Sequence, residues 1–133
     1  MPDVPLPDNQ GFLLETYGRS AFSRDVIAEF PDLANELEEY SFSIDIQVGI
    51  LAESVRKALK DGRLEFISRI LSFLQKSVNH PRARKELFDG IKDSFVKAEE
   101  LRSNTEVWLQ CQSIAPGIRQ MLLDVEKAEA NPK

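Results

Sequence analysis

Residues 44–78 read IDIQVGILAESVRKALKDGRLEFISRILSFLQKSV, and this stretch decides the fold. In its first half Ile44, Val48, Leu51, Val55 and Leu59 recur at the spacing of one face of a helix with 3.6 residues per turn. In its second half Leu64, Ile67, Leu71, Leu74 and Val78 do the same. Asp61-Gly62 stands between them, and glycine commonly follows a helix end because it enters the left-handed region without a Cβ penalty. The spacing predicts two helices, over 44–60 and 63–79, folded back on one another through a short link. Each has a second apolar side: Ile46 and Ile50 lie opposite the main stripe of the first, and Phe66 and Phe73 lie off the stripe of the second. A helix apolar on two sides is either sandwiched between layers or carries a binding patch. Sandwiching is the expectation, because a helical domain of this length needs a central element.

Working outward, a Ser-Phe-Ser link at 41–43 separates this pair from a helix over 31–40. Pro31 opens that helix, since proline suits a first helical turn and disfavours helix in the residue before it. Ser23 is the expected N-cap of a segment ending at Phe30. Helical character begins near Gly11 and breaks around Gly18, while residues 1–10, with three prolines, read as an extended arm. On the other side Asn79-His80-Pro81 interrupts the pattern. A third stripe, Leu87, Ile91, Phe95, Ala98 and Leu101 with Phe88 beside it, predicts one helix over 81–102. Asn104 or Thr105 caps the next, and helices over 106–112 and 116–128 complete the chain. Nothing alternates with period two. The expected fold is all-α: a single domain over 11–133, built as a compact multi-helix bundle or a short HEAT-like stack of antiparallel helices.

The 133 residues are 42% hydrophobic and 29% charged, a globular balance that excludes a disordered chain. A single cysteine, Cys111, excludes an intramolecular disulfide. The N-terminal residues lack the basic and apolar regions of a signal peptide, and no run reaches the ~18 apolar residues of a membrane span. A soluble cytoplasmic protein is expected.

Chemistry-bearing motifs are scarce. One histidine (His80) and one cysteine cannot make a structural zinc site of the usual four N or S ligands. His80 reads as an exposed link residue, and Cys111, beside Trp108 and Leu109, as a small buried hydrophobe. The scattered glycines form no phosphate loop, and no cofactor is expected. Glu38-Glu39 and Glu99-Glu100 have the pattern of solvated helix faces. A non-enzymatic protein is therefore expected. The alternative is a small enzyme or ligand-binding protein with a carboxylate-lined pocket between helices, using Arg69 or Arg119.

The charge pattern is more informative. The formal net charge is −5, yet residues 1–55 carry eleven acids against two bases, and residues 56–102 carry twelve bases against seven acids. Helix dipoles favour acids in first turns and bases in last turns. Arg56, Lys57 and Lys60 obey this rule. Arg82, Arg84 and Lys85, after Pro81, break it, and so do Glu36, Glu38 and Glu39 near the end of the 31–40 helix. These six, with Asp45, are the candidate partner-binding residues. Either the two clusters pair within the fold, or with Asp45 and Glu86, or they meet a charged partner. A basic protein surface is the favoured partner; nucleic acid is disfavoured, because the acidic first third would oppose a phosphate backbone.

Residues 30–125 resemble a family of small helical bacterial proteins of unknown function. The resemblance lies in Phe30-Pro31-Asp32-Leu33, in Lys60-Asp61-Gly62, in the run from Phe66 to Leu74, and in Ala115-Pro116-Gly117-Ile118-Arg119. It implies a helical fold and no assigned activity. By analogy with small acidic helical immunity proteins of bacteria, it implies neutralisation of a partner toxin.

Overall fold

The computed structural model describes residues 19–130, with Arg82 and Arg84 left out. The arm over 1–10, the helical start at Gly11 and the break at Gly18 lie outside the described residues. Eight α-helices follow in order: α1 (Arg19–Glu29), α2 (Ala34–Glu39), α3 (Ile44–Asp61), α4 (Leu64–Val78), α5 (Lys85–Ser94), α6 (Ala98–Arg102), α7 (Thr105–Ile114) and α8 (Pro116–Ala130). A 3₁₀ turn, Pro31–Leu33, joins α1 to α2. The described residues contain no strand, and the architecture is an all-α multi-helix bundle.

The decisive stretch folds as its spacing requires. Ser43 caps α3, its hydroxyl accepting from Ile46 N at 3.1 Å, and Gly62 ends the helix at φ +74°. A side chain at position 62 would be strained at that angle. Ile44, Val48, Leu51 and Val55 are buried on α3, as are Ile67, Leu71 and Leu74 on α4. These two helices form the centre: α3 touches α1, α2, α4 and α5, while α4 touches α1, α3, α7 and α8. The closest helix pair is α3 with α5, where Gly90 is buried against Ile44, Asp45 and Val48.

The second apolar sides divide between the two readings. Phe73 is core: its ring lies 5.7 Å from Phe22 and 5.5 Å from Phe30, an aromatic cluster that packs α1 onto α4. Phe66 meets Phe30 edge-on at 6.0 Å but stays half-buried, as does Ile50. Ile46 is exposed.

Three local expectations are corrected. Ser23 is no N-cap; it lies inside α1, buried, where its hydroxyl accepts from Gln47 Nε2 at 3.0 Å. Position 31 opens a 3₁₀ turn before α2, so Glu36 stands in the first turn of α2, where a carboxylate is favoured, and only Glu38 and Glu39 stand in its last. The helix expected over 81–102 is two helices. Phe95 and Val96, adjacent in sequence, are both buried where the helix breaks. The chain leaves the helix at Phe95 and re-enters at Ala98, and the Glu100 carboxylate accepts from Lys97 N at 2.7 Å to start α6. The predicted stripe itself holds, with Leu87, Ile91, Phe95, Ala98 and Leu101 all buried.

Candidate functional site

The connection from α2 to α3 forms a corner. Leu37 is buried beneath it, and the Leu37 carbonyl accepts from Gln47 Nε2 at 2.8 Å, tying α2 to the first turn of α3. With Leu37 turned inward, the 100° step of a helix puts Glu36 and Glu38 on opposite flanks and Glu39 outward. All three glutamates are exposed, and none makes an ion pair or a side-chain hydrogen bond with a described residue. Beyond them Phe42 is 60% exposed, its ring 6.1 Å from that of Tyr40, and Ile46 is 39% exposed one turn into α3. An aromatic side chain this accessible on a described surface, next to unpaired carboxylates, lacks an explanation in packing.

The structure does not join the five described candidate residues into one site. Glu38, Glu39 and Asp45 belong to the corner, though Asp45 accepts from Ser94 Oγ at 2.6 Å and so also ties α3 to α5. Glu36 turns away into a groove. Lys85 pairs with Asp89 one turn along α5, Nζ to Oδ2 2.7 Å, rather than with the acidic cluster; this partner on its own helix offsets its place in a first turn. Arg82 and Arg84 lie outside the described residues.

The groove, of about 640 Å³, runs between the 3₁₀–α2 segment and the C-terminal half of α3. Leu33, Ile50 and Phe66, all half-buried, give it an apolar floor. Asp32 and Glu36 line it on one side. From α3 and the start of α4 come Lys57, Lys60, Asp61 and Arg63, and Arg63 lies over the Phe66 ring at 4.8 Å. Arg56 also reaches it but is engaged twice, by Glu53 at 2.6 Å and by Glu100 at 2.6 and 3.3 Å. The Arg56 guanidinium holds the Glu100 carboxyl below the usual glutamate range, against the opposing effect of burial, with help from Lys97 N–H.

The arginines named for a ligand pocket both lie over aromatic rings, and Arg69 also lines two clefts beside α4. Arg69 lies over the rings of Phe30 and Phe66 and donates to the Glu29 carbonyl at 2.6 Å. Arg119 lies 4.7 Å from the Trp108 ring, whose neighbourhood also holds Arg102, ion-paired to Glu126. Cys111 is fully buried, and burial pushes its thiol up to about 11, slightly opposed by Arg119, so at neutral pH it is a protonated core side chain. Among the described residues no cluster of His, Cys, Asp and Glu could hold a metal ion, and the buried polar side chains are Ser23, Gln47 and Ser77.

Sequence reasoning missed Tyr40, placed at the end of the 31–40 helix, and Phe42, passed over as part of a link. The available signal was a lone phenylalanine between two serines, where no helical stripe could absorb it. It also missed the groove. Ile50, Lys57 and Asp61 recur at offsets 0, 7 and 11 on one face of α3, but the facing wall comes from another element and no periodicity reports it.

No protein-family model, curated protein or solved structure matches the chain. No described helix is long and apolar enough to cross a membrane.

Proposed function

We propose that the chain is a non-enzymatic protein-binding module acting in the cytoplasm, which engages a basic protein partner through the corner between α2 and α3. The observation that carries this reading is Phe42, 60% exposed with its ring tilted against that of Tyr40, with the carboxylates of Glu38 and Glu39, unpaired among the described residues, on the preceding turn and Ile46 beyond. Binding hot spots are aromatic anchors that become desolvated in a complex, and peripheral charges of the right sign steer encounter. A bacterial immunity protein that neutralises a toxin fits this chemistry. Asp45 completes the acidic rim while fastening α3 to α5. An enzyme gains less support, because Glu100, whose carboxyl is held below the usual glutamate range by its hydrogen bond to Arg56, is kept in the charged form rather than poised as an acid.

The test is co-purification with the product of the neighbouring gene, followed by calorimetric titration of the purified pair. Phe42→Ala is expected to weaken binding by about 30-fold or more, the scale of a hot-spot truncation. Charge reversal at Glu38 and Glu39 is expected to slow association and to remove most of its salt dependence. A partner that binds both variants as tightly as the natural chain would sink this assignment of the surface.

A further inference from the structure

We propose that the groove between the 3₁₀–α2 segment and the end of α3 is a second recognition site. Its occupant is a partner-protein segment in which an apolar side chain stands between a basic residue and an acidic one. The site is separate from the corner, since Glu38, Glu39 and Phe42 do not line it. Among the described residues, Asp32 and Glu36 on one side have no cation within ion-pair distance, and Lys57 and Lys60 on the other have no carboxylate. Arg63 has only the Phe66 ring, and Asp61 reduces but does not cancel this positive side. Asp32, Glu36 and Lys60 suit their own helix ends, so local rules account for their signs. They do not account for the half-buried Ile50 and Phe66 left between the two sides.

The separation is fixed by the fold. Gln47 and Leu37 hold α2 to α3, and Gly62 sets the turn that places Arg63 and Phe66. Opposite charges therefore face one another across an apolar floor without meeting. A simple anion is drawn to Lys57 and Lys60 and repelled by Asp32 and Glu36, a simple cation the reverse, and a phosphate backbone also meets Asp32 and Glu36. A segment of mixed charge satisfies both sides at once and covers the floor. Its polarity is set too, with the basic end toward α2 and the acidic end toward the C-terminus of α3.

The experiment titrates the ¹⁵N-labelled full chain at low ionic strength with three synthetic peptides sharing a Gly-Leu-Phe-Gly centre. One carries two lysines before it and two glutamates after it; the others carry four lysines or four glutamates. The mixed peptide is expected to shift the amide resonances of Leu33, Ile50 and Phe66 and to bind about tenfold more tightly than either other peptide. In the Lys57→Glu, Lys60→Glu double variant both sides become acidic, and the all-lysine peptide is expected to become the tightest. If that variant does not fold by circular dichroism, Asp32→Lys with Glu36→Lys gives the mirror test, with the all-glutamate peptide expected to lead. The proposal is overturned by shifts confined to the Phe42 corner, by no preference for the mixed peptide, or by an order of affinities that a folded variant leaves unchanged.

Discussion

Gln47 has no exposed surface, yet it is polar and lies where α1, α2 and α3 meet. Its Nε2 donates to Ser23 Oγ and to the Leu37 carbonyl, while its Oε1 is buried without a hydrogen-bond partner. Two satisfied donor bonds therefore stand against one unsatisfied acceptor. Gln47→Leu removes all three and leaves the Leu37 carbonyl with the Tyr40 N–H alone, at 3.2 Å. The two losses outweigh the one relief, so the variant is expected to be less stable by about 1–2 kcal/mol. Urea unfolding checks it: the midpoint should fall while the slope stays constant. An unchanged midpoint would mean that the orphan oxygen already cancels both bonds. Sequence inspection could not assign this role, because position 47 sits beside Val48 in the stripe and only the facing Ser23 and Leu37 make an amide useful there.

The elements that sequence alone located best were those whose order is local. The helices expected over 44–60 and 63–79 are Ile44–Asp61 and Leu64–Val78, since one unbroken stripe and one glycine specify both. The helix expected over 81–102 stops at Ser94 and restarts at Ala98, where the Glu100 carboxylate accepts from Lys97 N, a start that the apolar stripe does not report. Ser23 lies inside α1 rather than at its start, and its hydroxyl accepts from Gln47. The start of α8 depends on a tertiary cap as well. Gln75 Oε1, on α4, accepts from Gly117 N at 2.7 Å and from Ile118 N at 3.1 Å, satisfying two first-turn donors across a helix interface. A Cβ at position 117 would lie 2.9 Å from Gln75 Nε2. The atoms met are the end of the flexible Gln75 side chain, so Gly117→Ala displaces the cap, and that loss of ~1 kcal/mol offsets the gain of about 1 kcal/mol from alanine as the better helix former. Gln75→Ala should cost a similar ~1 kcal/mol by removing the cap. In the Gln75→Ala background, Gly117→Ala should become stabilising, because nothing is then displaced. Thermal unfolding of the three variants measures that difference, and an effect of Gly117→Ala that is the same in both backgrounds would refute the displaced cap as its cause.

For the molecule as a whole, α3 and α4 are the frame on which everything else is hung, and charge settles how the outer pieces attach. The uneven charge of the sequence was legible; its destination was not. Whether Lys85 would meet Glu36 or Asp89 depends on where α5 packs, and α5 packs where Gly90 lets it approach α3. The exposed Phe42 was equally hidden, since exposure is a property of the assembled surface. One charge pair does join distant parts of the fold. Arg56 on α3 grips Glu100 on α6, and Glu100 at the same time accepts from Lys97 N, so a single carboxylate both starts α6 and anchors it to the central helix. The side chains are 40% and 28% exposed, which screens the pair and limits its net worth to about 1 kcal/mol. Because the Glu100 pKa is lowered on folding, by the Arg56 hydrogen bond first, its contribution is complete above the unfolded glutamate value of about 4.3. That contribution disappears as pH falls through the depressed folded value. Glu100→Gln is therefore expected to lose about 1 kcal/mol at neutral pH and to differ little from the natural chain at strongly acid pH. Urea midpoints from pH 7 down through the carboxylate range measure the two curves. They should converge on the acid side, and a constant gap between them would show that the side-chain amide fails for a reason other than charge.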